Sequence, residues 1–141
     1  MQRSEAGFRE HEHTADWELE VWAPTLPALF EQAARGMYAL SGIVLKPFPR
    51  KVRQMKLAAV DPESLLVGFL QELLYLEETA GLGFDQFDIR IRDLDLDAIL
   101  TGAPILAISK EIKAVTYHNL KIGESERGSD SALEVRIVFD V

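Results

Sequence analysis

With 141 residues, 48% of them hydrophobic and 27% charged, the chain has the size and make-up of one soluble domain that folds without a disulfide or a structural metal. Its 15 lysines and arginines stand against 23 acidic residues, a formal charge of −8, which disfavours a free-standing nucleic-acid binder because phosphates are held by cationic side chains. The lack of cysteine excludes thiol nucleophiles, thiolate metal sites and disulfides; no secretory leader and no apolar run of the ~18 residues needed for a membrane span is expected, so the expected location is the cytoplasm.

Acidic and apolar residues alternate from Glu18 to Val21, predicting a first strand over Leu19 to Ala23. Thr25 can cap a helix whose first turn tolerates Pro27, and Leu26, Leu29, Phe30, Ala33, Met37 and Leu40 form its apolar stripe up to a stop at Gly42. The two prolines between Ile43 and Arg50 predict a loop, and Val52 to Val60 a strand. Lys46, Arg50, Lys51, Arg53 and Lys56 make this region locally basic, either as a solvated loop and strand face or as a phosphate site.

Asp61 as N-cap, Pro62 and Glu63 open a second helix that buries Leu65, Leu66, Phe69, Leu70, Leu73 and Leu74 and ends at Gly81. Gly68 inside it costs about 1 kcal/mol relative to alanine, which predicts close approach of a neighbouring backbone. Thereafter Phe87, Ile89 and Ile91 alternate with Asp88, Arg90 and Arg92 in a strand. The chain bends near Asp93–Asp97 into a strand ending near Gly102, continues as a strand from Ile112 to Ile122, turns through Glu124 to Ser131, and finishes as an apolar strand from Leu133 to Val141. The order predicts a single α+β domain over residues 1–141 with two layers. They are a mostly antiparallel or mixed sheet of about six strands and two helices packed on one of its faces.

Nucleophile elbows, phosphate-cradling glycine loops and dinucleotide fingerprints are missing. His11 and His13 would share a strand face and could hold zinc with His118 or a carboxylate, or His13 is structural and His11 exposed. His13-Thr14-Ala15-Asp16 precedes the first strand and places a carboxylate at the edge of the sheet, while Asp140 and the terminal carboxylate of Val141 close the last strand. If those strands are neighbours, the negative charges converge and suit a hard divalent cation with oxygen ligands; otherwise Asp16 caps a turn and Asp140 is solvated. Lys113-Ala114-Val115-Thr116-Tyr117-His118 sets lysine, threonine, tyrosine and histidine close together, as an acid/base or phosphate-binding surface or as a strand with polar edges.

In these segments, in their order and spacing, and in the two helices and the Phe139-Asp140-Val141 ending, the sequence resembles the archease family over nearly its whole length. The resemblance implies an accessory protein, not an enzyme, that stimulates guanylylation and turnover of an RtcB-type RNA ligase in tRNA splicing and RNA repair and meets RNA and GTP only through that partner. It further implies a bound divalent cation, typically calcium, held by Asp16, Asp140 and Val141. Lys113 and His118, with His13, Thr116 and Tyr117, become candidate partner or site contacts. The short apolar Pro104–Ile108 segment departs from the family pattern, which has a glycine–glutamate pair and a longer polar stretch there.

Overall fold

The computed structural model describes residues 5–12, 16–125 and 132–141. In chain order the elements are β1 (Gly7–Glu12), β2 (Asp16–Ala23), α1 (Leu26–Ser41), β3 (Val44–Leu45), β4 (Lys51–Ala58), α2 (Pro62–Ala80), β5 (Leu82–Arg92), β6 (Asp95–Ala107), β7 (Ala114–Val115), β8 (Gly123–Ser125) and β9 (Ala132–Asp140). Both helices start where their sequences direct. The Thr25 hydroxyl accepts from Ala28 N–H at 3.3 Å, and the Asp61 carboxylate accepts from Ser64 N–H at 2.6 Å. The Ser64 N–H stabilises the ionised form of Asp61 and holds its carboxyl below the usual range. Both stop at a glycine in the left-handed region, Gly42 at φ 65° and Gly81 at φ 64°, a conformation a Cβ would disfavour.

The apolar stripes of the two helices meet at Phe30 and Phe69, whose ring centroids are 5.6 Å apart. Around that pair one contiguous core gathers Leu19, Val21, Ile137 and Phe139 from β2 and β9, and Met55, Phe84, Leu96 and Leu100 from β4, β5 and β6. Helix α1 touches β1, β2, β9 and β5, whereas α2 touches β4, β5, β6 and β7. The helix pair therefore packs against strands of two sheets.

The expected α+β class, with two helices and antiparallel pairing, is what the structure has. The strands, however, divide between two sheets instead of forming one of about six. One has the order β1-β2-β9-β7 with β8 also on β9; the other has β3-β6-β4 with β5 also on β6. The reason lies in β5 and β6, which at 11 and 13 residues form a hairpin long enough to centre a sheet of its own. Strand boundaries also move: β1 is not among the expected strands, β2 starts at Asp16 instead of Leu19, and β3 lies inside the expected Ile43–Arg50 loop. β6 runs through Gly102 to Ala107, because Gly102 is a site of close approach and not a stop. Of the expected Ile112–Ile122 strand only Ala114–Val115 pairs, since the chain then turns, with Asn119 at φ 52° and Leu120 N–H donating to Tyr117 C=O at 3.1 Å. The turn expected from Glu124 to Ser131 lies mostly outside the described residues, although Glu124 itself belongs to β8.

Gly68 does not mark a close backbone approach. A Cβ built there would meet only the Leu57 Cδ1, at 3.9 Å. Gly36 is the crowded helical glycine, where a Cβ would lie 2.6 Å from the Leu19 Cδ2 and 3.0 Å from the Phe8 Cγ. Gly68→Ala is therefore expected to stabilise the protein by about 0.5–1 kcal/mol, read as a higher urea midpoint at unchanged slope. A loss of stability would show that the helix needs the gap.

The locally basic stretch behaves as a solvated loop and strand face: Lys46, Lys51, Arg53 and Lys56 are exposed. Arg50 is engaged with Asp85, its Nη1 donating to Oδ2 at 3.1 Å. Among the described residues no helix is long and apolar enough to cross a membrane.

Candidate functional site

Strand β2 pairs on one side with β1 and on the other with β9, and β9 is flanked beyond by β7. The register places Asp16 directly opposite Asp140, and Asp140 directly opposite Ala114. Lys113 N–H donates to Asp140 C=O at 2.8 Å, and Thr116 N–H to Val138 C=O at 3.0 Å. The segments that carry Asp16, Asp140–Val141 and Lys113–Thr116 are thus three neighbours at one end of one sheet.

Side-chain alternation then fixes which way these residues face. Trp17 pairs with Phe139, and Phe139 is fully buried in the core that the helices cover. Asp16 and Asp140, one position away on each strand, project from the opposite face. Directly opposed residues of an antiparallel pair have Cβ atoms roughly 4.5–5.5 Å apart, and like charges so placed repel. Both aspartates are exposed, and Val141 is half-buried with its side chain against the core.

Farther along the same face the acids have partners. Glu18 accepts from Arg136 Nη1 at 3.0 Å, and Glu20 Oε2 lies 3.3 Å from His11 Nε2. Glu20 is 1% exposed, so the His11 contact serves an acid inside the fold. His11 is accordingly not simply exposed. His118, beyond β7, is three strand spacings from His11 on β1, roughly 14 Å, which rules out a zinc site shared by these two; its ring pairs instead with the Asn119 amide at 3.2 Å. Among the described residues Asp16 and Asp140 take part in no ion pair.

His13, Thr14 and Ala15 lie outside the described residues. Among the described ones no three histidine, aspartate or glutamate side chains gather into a metal cage. The donors at this end of the sheet are two facing carboxylates and main-chain oxygens of the Asp140–Val141 segment. Such an oxygen-only set with an open rim fits a hard cation that keeps several waters, and does not fit zinc.

The Lys113–His118 segment is less regular than its alternation implied. Val115 is buried, Thr116 is half-buried with its Oγ1 accepting from His118 N–H at 3.3 Å, and Lys113, Tyr117 and His118 are exposed. Upstream of it, Lys110 Nζ sits 4.2 Å from the centre of the Trp17 ring, a cation–π contact. Neither Lys110 nor the Glu18–Arg136 and His11–Glu20 pairs stood out in the sequence, where the strand register that makes them partners is not written locally.

Burial, and then repulsion from Glu111, pushes the Glu77 carboxyl above its ordinary value. The folded state therefore binds this proton more tightly than the unfolded chain. Its contribution is fully present below pH 4.5, the group's ordinary value, and is lost as pH rises through the folded value. Glu77→Gln is expected to raise the urea midpoint at pH 7.5 and to leave it nearly unchanged near pH 4; an equal gain at both would discard this cause.

A surface depression of about 660 Å³ lies elsewhere, on β4, β5 and β6, lined among others by Lys56, Arg90, Arg92, Asp95 and Asp97. Lys56 and Arg90 both stand opposite Asp97, and Arg92 opposite Asp95. This is a compensated ladder of charges, and none of the candidate site residues reaches it.

The family described as "Archease protein family (MTH1598/TM1083)" matches residues 8–141. A protein archease of Pyrococcus furiosus is 32% identical over 142 aligned positions, covering 95% of this chain and 98% of the relative. One of Thermococcus gammatolerans is 35% identical over 124 positions, covering 82% and 87%. Among solved structures, a Thermotoga maritima crystal structure described as "an archease, possible chaperone" superposes with a TM-score of 0.66 at 27% identity, covering 100% of this chain and 98% of that one. The solution structure of Methanobacterium thermoautotrophicum protein 1598 superposes with a TM-score of 0.67, covering 96% of this chain and 99% of that one, and at 23% identity it speaks to the fold.

Proposed function

The chain belongs to the archease family, and from that premise we propose that it is a cytoplasmic accessory protein of an RtcB-type RNA ligase. It promotes guanylylation and repeated turnover of the ligase in tRNA splicing and RNA repair, catalyses nothing itself, and meets RNA and GTP only through its partner. One observation carries this reading: Asp16, Asp140 and the Lys113–Thr116 segment, all in motifs on which the resemblance rests, come together on adjacent strands.

In this reading Asp16, Asp140 and main-chain oxygens of Val141 hold a divalent cation, calcium as the family resemblance implies. The cation supplies the positive charge that two facing carboxylates lack, and so fastens the start of β2 to the end of β9. Lys113, Thr116, Tyr117 and His118 form the surface turned to the ligase, and His13 is a further candidate contact. The acidic charge of −8 disfavours docking onto RNA itself and leaves a protein as the partner. The test is to incubate the purified ligase with GTP, manganese and RNA, with and without this protein. Several ligation products per ligase molecule are expected with it, and an unchanged number of turnovers would defeat the proposal.

A second reading, a chaperone-like interaction module with a structural metal, draws on exposed apolar side chains around the β3 end of β6, among them Val44, Leu106 and Ile108. Suppression of light scattering by unrelated aggregating clients would favour it over the ligase-specific role.

A further inference from the structure

Helix α2 grips the segment after β7 at both of its ends. Gln71 Nε2 donates to Val115 C=O at 3.4 Å, and the Glu63 carboxylate accepts from Ile122 N–H at 2.8 Å, a half-buried contact between residues 59 positions apart. Glu63 lies in the first turn of α2, where a carboxylate is favoured by the helix dipole. Between the grips the chain is braced from within. His118 N–H donates to Thr116 Oγ1 at 3.3 Å, Leu120 N–H donates to Tyr117 C=O at 3.1 Å, and Asn119 takes φ 52°. The outcome is a loop that is fixed although its side chains are exposed, with Tyr117 60% accessible. From Lys113 to Lys121 it carries cations and no acid, against the sign of the whole chain. An exposed, immobilised tyrosine flanked by lysines is the make-up of an interface anchor for a carboxylate-bearing protein surface, because little side-chain or loop entropy remains to be lost on docking.

We infer that Glu63 is a positioning residue, whose carboxylate locks the 115–122 loop so that Tyr117 and His118 are presented preformed to the partner protein. The inference rests on the ligase reading for the identity of that partner, and on the Glu63–Ile122 bond for the preformed loop. Releasing the bond leaves a half-buried N–H unmet and lets the loop sample other conformations, so binding weakens while the step that follows binding does not.

The experiment compares Glu63→Ala and Glu63→Gln with the unaltered protein. It reads amide hydrogen exchange at residues 117–122, the protein concentration giving half-maximal ligase stimulation, and the maximal turnover. In Glu63→Ala the Ile122 amide is expected to exchange about tenfold faster and the half-maximal concentration to rise about tenfold, at unchanged maximal turnover. Glu63→Gln keeps an acceptor oxygen without the charge and should stay within about twofold of the unaltered protein. Glu63→Ala with unaltered exchange and half-maximal concentration overturns the inference, as does a glutamine variant no better than alanine. If the unaltered protein fails to stimulate the ligase, the function proposed above fails by itself, and the exchange measurement alone decides whether Glu63 fixes the loop.

Discussion

Calcium is expected to raise the melting temperature of the unaltered protein, and Asp16→Ala and Asp140→Ala are each expected to erase that rise together with the proposed stimulation of the ligase. A ligand bound only by the native state at a hundred times its dissociation constant adds about 2.7 kcal/mol of stability. For a chain of this size that corresponds to a rise of roughly 8–12 °C. Because Asp16 and Asp140 face each other across the β2–β9 pair, removing either leaves a single side-chain carboxylate, which weakens the hold on a hard cation. The sign reverses without calcium. Two like charges directly opposed destabilise a sheet, so each variant should then melt at or slightly above the temperature of the unaltered protein. Asp97→Ala, on the other sheet, serves as control and should keep the whole calcium response. An Asp140 variant that melts lower without calcium and still responds to it would reduce these aspartates to ordinary turn and edge residues.

Gly102→Ala is expected to destabilise the fold by about 3 kcal/mol or more, with a fall in melting temperature of roughly 10 °C. Gly102 stands in the middle of β6, opposite Phe84 where the β5 register shifts. A Cβ there would sit 2.7 Å from the Phe84 Cα and closer still to the Gly83 carbonyl oxygen. The obstacle is backbone on a paired strand and cannot swing aside as a side chain can. Relief requires β5 to move away from β6, which would loosen Phe84 and Leu100 in the core. Thermal melting and the denaturant midpoint both check it; a variant within 1 °C of the unaltered protein would mean that the two strands have slack.

What was readable from the sequence followed range. Thr25, Asp61, Pro62, Gly42 and Gly81 act on backbone groups within four residues, and both helices begin and end where those residues predict. The division of the strands into two sheets depends on which distant strand each one chooses, and no residue pattern states that choice. Gly102 illustrates the difficulty. As a lone glycine it reads as a stop, whereas its purpose appears only when Gly83 and Phe84 lie against it. The meeting of Asp16 with Asp140 was foreseeable as a condition, that the first and last predicted strands be neighbours, and the register meets that condition residue for residue. The partners of Glu18 and Glu20 were not foreseeable, since Arg136 and His11 reach them only through cross-strand alignment.

Strand β9 lies between β2 and the β7–β8 side of its sheet, so the two carboxylates come from opposite ends of the folding problem. Their juxtaposition is a contact of very long sequence separation, the kind that forms late because a large loop must first be closed. An ion captured there would register only molecules whose assembly is complete. Peeling β9 away from β2 would dismantle the carboxylate pair and unseat the Lys113–Thr116 backbone in the same event, so affinity for the proposed ion would gauge the native integrity of the sheet.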